Sequence, residues 1–137
     1  MPICSTIQPG SVYYFSDPRF SLDDPHYFIV INIDPLTDNV LLLLCAHSKV
    51  EQIKRIRSHL HPGTTIEIGH QTYNDFKQPS IIDCNNVFQK TIKELKEKFK
   101  NGELRIKKIM PIEIIEELRE AVIESVMVER FIKDMLT

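Results

Sequence analysis

A chain of 137 residues, 42% hydrophobic and 26% charged, can bury one sizeable core and does not have the composition of a disordered protein. A formal net charge of −2 and a pI near 6.2 exclude a uniformly basic nucleic-acid binder. The longest unbroken apolar run, residues 40–46, falls far short of the roughly 20 residues of a membrane span, so no membrane partner is expected.

Three cysteines, Cys4, Cys45 and Cys84, are an odd number with no CxxC spacing. They predict neither a disulfide framework nor a four-thiolate zinc site, and they fit a reducing cytoplasm. Residues 1–10 carry no basic segment followed by an apolar one, so no signal peptide is expected either.

The elements follow in chain order. Pro9-Gly10 is a turn pair that introduces a first strand over 11–15. Residues 16–25, with two prolines and three aspartates, predict a long loop, a place where function often resides. Tyr27 to Ile33 is aromatic and β-branched and predicts a buried strand. Residues 34–39 have turn chemistry, and 40–46 is a second apolar run, which together make a hairpin. Near-continuous apolarity means either that both faces of these strands are covered or that they line a small closed barrel. Cys45 within that run is expected to be a buried small hydrophobe.

Ser48 and Glu51 match a capping box, and Val50, Ile53, Ile56 and Leu60 repeat at helical spacing, so a short helix is expected over 49–60, stopped by His61-Pro62-Gly63. A strand over 64–68, a polar loop over 69–79 and a short strand over 80–84 follow. Asn86 is the expected cap of a helix carrying Val87, Ile92, Leu95 and Phe99, ended by Asn101-Gly102. Residues 104–109 predict an edge strand guarded by Lys107 and Lys108. Pro111 then opens one last helix reaching 136, with acidic residues early and Arg130 and Lys133 late. The sum is an α+β chain of one domain, 1–137, strand-rich over 8–84 and helical over 87–136.

Charge is uneven along the helical half. Residues 90–108 carry eight Lys or Arg against three Glu, and residues 109–137 carry three against seven Asp or Glu. The plain reading is a solvated basic face beside an acidic helix; the sharper one is a local phosphate-attracting patch.

No P-loop, GxGxxG, GxSxG or HExxH motif is present, so no cofactor is expected, and the histidines lack metal-ligand spacing, so no metal is expected either. His26 stands at the exit of the long loop, and His47 and Ser48 stand at the end of the next apolar run. Adjacent antiparallel strands are expected to hold these two ends at opposite edges, whereas strands separated by a crossover or curled into a barrel need not. A histidine moves protons near neutral pH, and a serine hydroxyl can hold a phosphate oxygen. Against these readings, Ser48 is explained by the capping box and His26 by the start of a strand. Asp83 is expected to receive backbone N–H groups from the helix start that follows it.

The order of segments resembles the MazF/PemK family of endoribonuclease toxins. The resemblance lies in Gln8-Pro9-Gly10-Ser11-Val12-Tyr13-Tyr14, in His26-Tyr27-Phe28-Ile29-Val30-Ile31, in Leu43-Leu44-Cys45-Ala46-His47-Ser48-Lys49, in Pro79-Ser80-Ile81-Ile82-Asp83-Cys84, and in the closing helix from Pro111. It implies a small SH3-like β-barrel with a short inserted helix and C-terminal helices, and a homodimer. It also implies an antitoxin as protein partner and metal-free cleavage of single-stranded RNA by the ribose 2′-OH. His26 stands where the family commonly has arginine and Ser48 where it has a small hydroxyl residue, so these two are the implied catalytic pair. His47, Lys49 and Arg19 are the implied substrate contacts, with Lys49 or Arg19 supplying the cation that His26 replaces. The competing expectation is a non-catalytic barrel that binds protein or RNA, marked by an exposed apolar patch instead of converging polar side chains.

Overall fold

The computed structural model describes residues 2–18 and 24–137. Its centre is a seven-stranded sheet in which every pair is antiparallel. The strands are β1 (Val12–Ser16), β2 (Pro25–Val30), β3 (Leu41–His47), β4 (Thr65–Ile68), β5 (Ser80–Asp83), β6 (Phe88–Lys90) and β7 (Leu104–Lys107). Their order is β4-β5-β3-β2-β1-β7. The free side of β3 is shared, since residues 41–43 pair with β6 and residues 46 and 47 with β5. The helices are α1 (Val50–Ile56), α2 (Ile92–Lys100), α3 (Ile112–Glu124) and α4 (Arg130–Met135).

The apolar runs divide by alternation. Leu42, Leu44 and Ala46 of β3 join Val12, Ile29 and Ile82 on one face, against Leu118 and Val122 of α3 and Ile132 of α4. Leu41, Leu43 and Cys45 join Tyr13, Phe15 and Phe28 on the other face, against Leu95 of α2 and the N-terminal Ile3 and Ile7. Successive side chains of a strand point to opposite faces, so a continuous apolar run feeds two separate cores. Of the two sequence expectations for the hairpin, covered faces is the one realised.

The strands do not close into the barrel that the family resemblance implied. Among the described residues β4 and β7 are the two ends of the sheet and do not pair with each other. Helical layers on both faces remove the need for closure, because no apolar face is left for a barrel interior to enclose. β7 is an edge strand, as its lysines predicted.

Gly10 joins the ends of three segments. Its N–H donates to the Val30 carbonyl (2.8 Å), and its own carbonyl accepts from the Met110 N–H (2.8 Å). Its φ is +91°, and a Cβ there would sit 2.7 Å from the Met110 carbonyl oxygen, so both the conformation and the close approach demand glycine.

Four local expectations need correction. α1 starts one residue later and ends at Ile56; its N-cap is Lys49, with no side-chain capping bond, so the Ser48–Glu51 box is not formed. The helix predicted from Asn86 begins only at Ile92, after β6, and its cap is Thr91, which forms a full capping box with Glu94. The final helix breaks after Glu124. Ser125, extended at φ −71° and ψ 128°, donates from its hydroxyl to Asn85 Oδ1 (2.6 Å) and accepts from the Met127 N–H (3.1 Å). That buried side-chain bonding competes with helix continuation. Asp83 accepts the Asn85 N–H (3.1 Å), but no helix starts there; its other oxygen takes Nε and Nη2 of Arg57 at 3.0 and 2.9 Å. Among the described residues no helix is long and apolar enough to cross a membrane.

Candidate active site

The register of β2 on β3 pairs Tyr27 with Ala46, which brings the start of β2 beside the end of β3. His26 and His47 meet there with ring centroids 5.7 Å apart and planes at 62°. The expectation that these ends lie at opposite edges is wrong for a simple reason. In a hairpin, the first strand's start and the second strand's end are neighbours at the end away from the turn.

The two rings open onto a cleft of about 630 Å³ that Ser48, Lys49, Tyr14 and Tyr27 also line. Ser48 and Lys49 are exposed, and both histidines are half-buried. Because no side chain caps α1, the Ser48 hydroxyl is not spent on the helix as its sequence context suggested. The catalytic and binding candidates His26, His47, Ser48 and Lys49 therefore share one cleft. Arg19 lies outside the described residues.

Aromatic rings and a tied loop shape the rest of the cleft. Tyr14 and Tyr27 stand 4.7 Å apart between centroids, with Lys107 Nζ 5.5 Å and 6.0 Å from the two rings. Phe76, from the loop 69–79, meets Tyr27 edge-on at 5.1 Å. The loop is held to the sheet by Tyr27, whose hydroxyl donates to the Asp75 carbonyl (3.0 Å), and by Tyr73, whose hydroxyl donates to the Lys108 carbonyl (2.5 Å). The Lys108 N–H donates to Asp75 Oδ2 (3.0 Å). Lys77 and Gln78 of that loop reach the cleft as well. None of these loop residues was singled out from the sequence, since long-range bonds to Tyr27 and Lys108 place them there.

Burial lowers the pKa of His47 below the usual imidazole value, and the like charge of neighbouring His26 lowers it further; Asp83 opposes this shift. His47 is thus disposed to be neutral at neutral pH. Beneath the rings lies Cys45, on the same face of β3 as His47. Its Sγ and one nitrogen of each histidine all lie within 4.8 Å of one another. Cys45 is buried as expected, and burial followed by the charges of Asp17 and Asp83 drives its thiol pKa far up. Two imidazoles, a hydroxyl and an ammonium thus border one open cleft with aromatic walls. The chain matches no family model and no curated protein.

Proposed function

We propose that this cleft cleaves single-stranded RNA without a metal ion, in the manner of the MazF/PemK-like toxins whose layout the chain resembles. The observation that carries the reading is the His26–His47 ring pair in an open cleft beside Ser48 and Lys49. His47, disposed to be neutral, takes the proton from a ribose 2′-OH. The 2′-oxygen then attacks the adjacent phosphorus, and the bond from phosphorus to the 5′-oxygen breaks. His26 gives a proton to that leaving oxygen, which leaves a 2′,3′-cyclic phosphate and a 5′-hydroxyl. Lys49 balances charge on the phosphoryl oxygens, Ser48 donates a hydrogen bond to one of them, and Tyr14 and Tyr27 offer faces for base stacking.

This assignment moves His47 from a substrate contact to the general base, on the strength of its position and lowered pKa. The test is cleavage of several long RNAs with EDTA present. His26→Ala and His47→Ala are each expected to cut the rate by about 10²–10⁴, the usual worth of a positioned acid or base, and Ser48→Ala by less. A folded native protein that leaves every RNA intact overturns the reading.

A specific feature favours a second reading, a partner-binding module. Val126 is 84% exposed, and Met127 and Phe131 are about half exposed, at the break between α3 and α4. On this reading an antitoxin-like protein or a second copy of the chain docks there. A native protein inert on RNA would leave docking as the function.

A further inference from the structure

We infer that His26, Cys45 and His47 form a binding site for a thiophilic divalent metal, Zn²⁺ above all. The inference does not rest on RNA cleavage: it follows from the donor set alone. Sγ of Cys45 and a nitrogen of each histidine lie within 4.8 Å of one another. In a tetrahedral zinc site, with Zn–S of about 2.3 Å and Zn–N of about 2.0–2.1 Å, neighbouring donors stand roughly 3.3–3.6 Å apart. Closing that gap takes at most about 1.2–1.5 Å of movement. The histidines can supply it, since both are half-buried at strand ends and border open space, whereas Cys45 is fixed in the sheet.

Three protein donors leave a fourth position facing the cleft, the arrangement of open rather than structural zinc sites. One thiolate and two imidazoles select zinc or copper over magnesium or calcium, which prefer oxygen. Binding is an exchange at sulfur: the S–H bond gives up its proton to solvent as the S–metal bond forms, with no change of oxidation state. The metal would occupy the imidazole nitrogens assigned to proton transfer, so on the proposed function zinc is an inhibitor of this site.

The experiment uses the full chain, stripped with a chelator and then titrated with Co²⁺ as a spectroscopic stand-in for Zn²⁺. One equivalent is expected to raise a thiolate-to-cobalt charge-transfer band together with tetrahedral ligand-field bands, and Zn²⁺ is expected to displace both. Cys45→Ser should abolish the charge-transfer band, whereas Cys4→Ser and Cys84→Ser should keep it. His47→Ala should weaken binding by at least roughly 10-fold, a loss that outer-shell changes alone commonly produce. Should Cys45→Ser not fold, His26→Ala carries the test with the same weakening and a changed ligand-field spectrum. Absence of a thiolate band with excess Co²⁺, or a band indifferent to both histidine substitutions, overturns the inference. RNA cleavage enters neither readout, so failure of the metal site and failure of the nuclease reading are told apart.

Discussion

The two ends of the β2–β3 hairpin are built to opposite rules. At the turn end, buried Asn32 replaces part of the strand ladder: its Oδ1 accepts the Leu42 N–H (2.6 Å), and its Nδ2 donates to Asp38 Oδ2 (2.8 Å) and to the Val40 carbonyl (2.9 Å). Arg119 of α3 reaches over and donates to the carbonyls of Ile31 (2.7 Å) and Asn32 (2.9 Å). At the open end, two imidazoles, a hydroxyl and an ammonium face a cleft, and the ion pair of Arg57 with Asp83 acts on His47 from behind. The turn end spends its polar groups on specifying the register. The open end inherits that register and sets its polar side chains along a cleft, where His26 Nδ1 also meets the Asp24 carbonyl (3.1 Å). A strand pair fixed at one end can thus hold reactive groups together at the other.

The largest stability effect is expected from breaking the support behind the open end. The side chains of Arg57 and Asp83 are 17% and 6% exposed, so Arg57→Ala strands a buried carboxylate. Such a loss typically costs about 3–5 kcal/mol, read as a fall in the denaturant midpoint. Asp83→Asn, which keeps an acceptor and removes the charge, should cost less; equal costs would show that hydrogen bonding and not charge holds this position.

Asn32→Ala attacks the turn end. It leaves the buried Leu42 N–H without its acceptor, an omission that costs about 1–3 kcal/mol. The contrast between the ends is sharpened by measuring both properties in each variant. Asn32→Ala should lower the midpoint and leave RNA cleavage by the still-folded protein close to native, while His47→Ala should do the reverse. An Asn32→Ala protein that is fully folded yet inactive would mean that the two ends are coupled through the register.

The sequence made the strands more legible than their meeting points. Aromatic and β-branched residues mark β1 and β2, and an unbroken apolar run marks β3, but the assignment of alternate residues to two cores depends on helices far along the chain. His26, His47, Ser48 and Lys49 could be singled out by type and by position at strand ends. That His26 meets His47 follows from the hairpin itself and was within reach of the sequence; the error was geometric. That Cys45 lies beneath both rings needed the register as well as the face. Thr91 and Glu94 carried a readable capping signature that Asn86 obscured. The break at Ser125 was not legible at all, because its partner Asn85 lies 40 residues away and is brought close only by the fold.

The smallest expected effect bears on how dry the open end is. His47 has a pKa lowered from the ordinary 6.5, burial being the larger cause and the His26 charge the next. Above that ordinary value His47 is neutral in the folded and unfolded chain alike and contributes nothing to pH dependence. As pH falls through it, the unfolded chain takes up the proton first, so the unfolded state gains and folding stability drops until the lower folded pKa is passed. Midpoints measured from about pH 8 down to about pH 5 should therefore show a decline that is shallower in His47→Gln, which cannot titrate. His26→Gln should also flatten the decline, since removing the neighbouring charge lets the folded pKa of His47 rise toward its unfolded value. Identical slopes in native protein and His47→Gln would mean that water solvates His47 fully, and the cleft would then lose its claim to tune the base that the proposed chemistry needs.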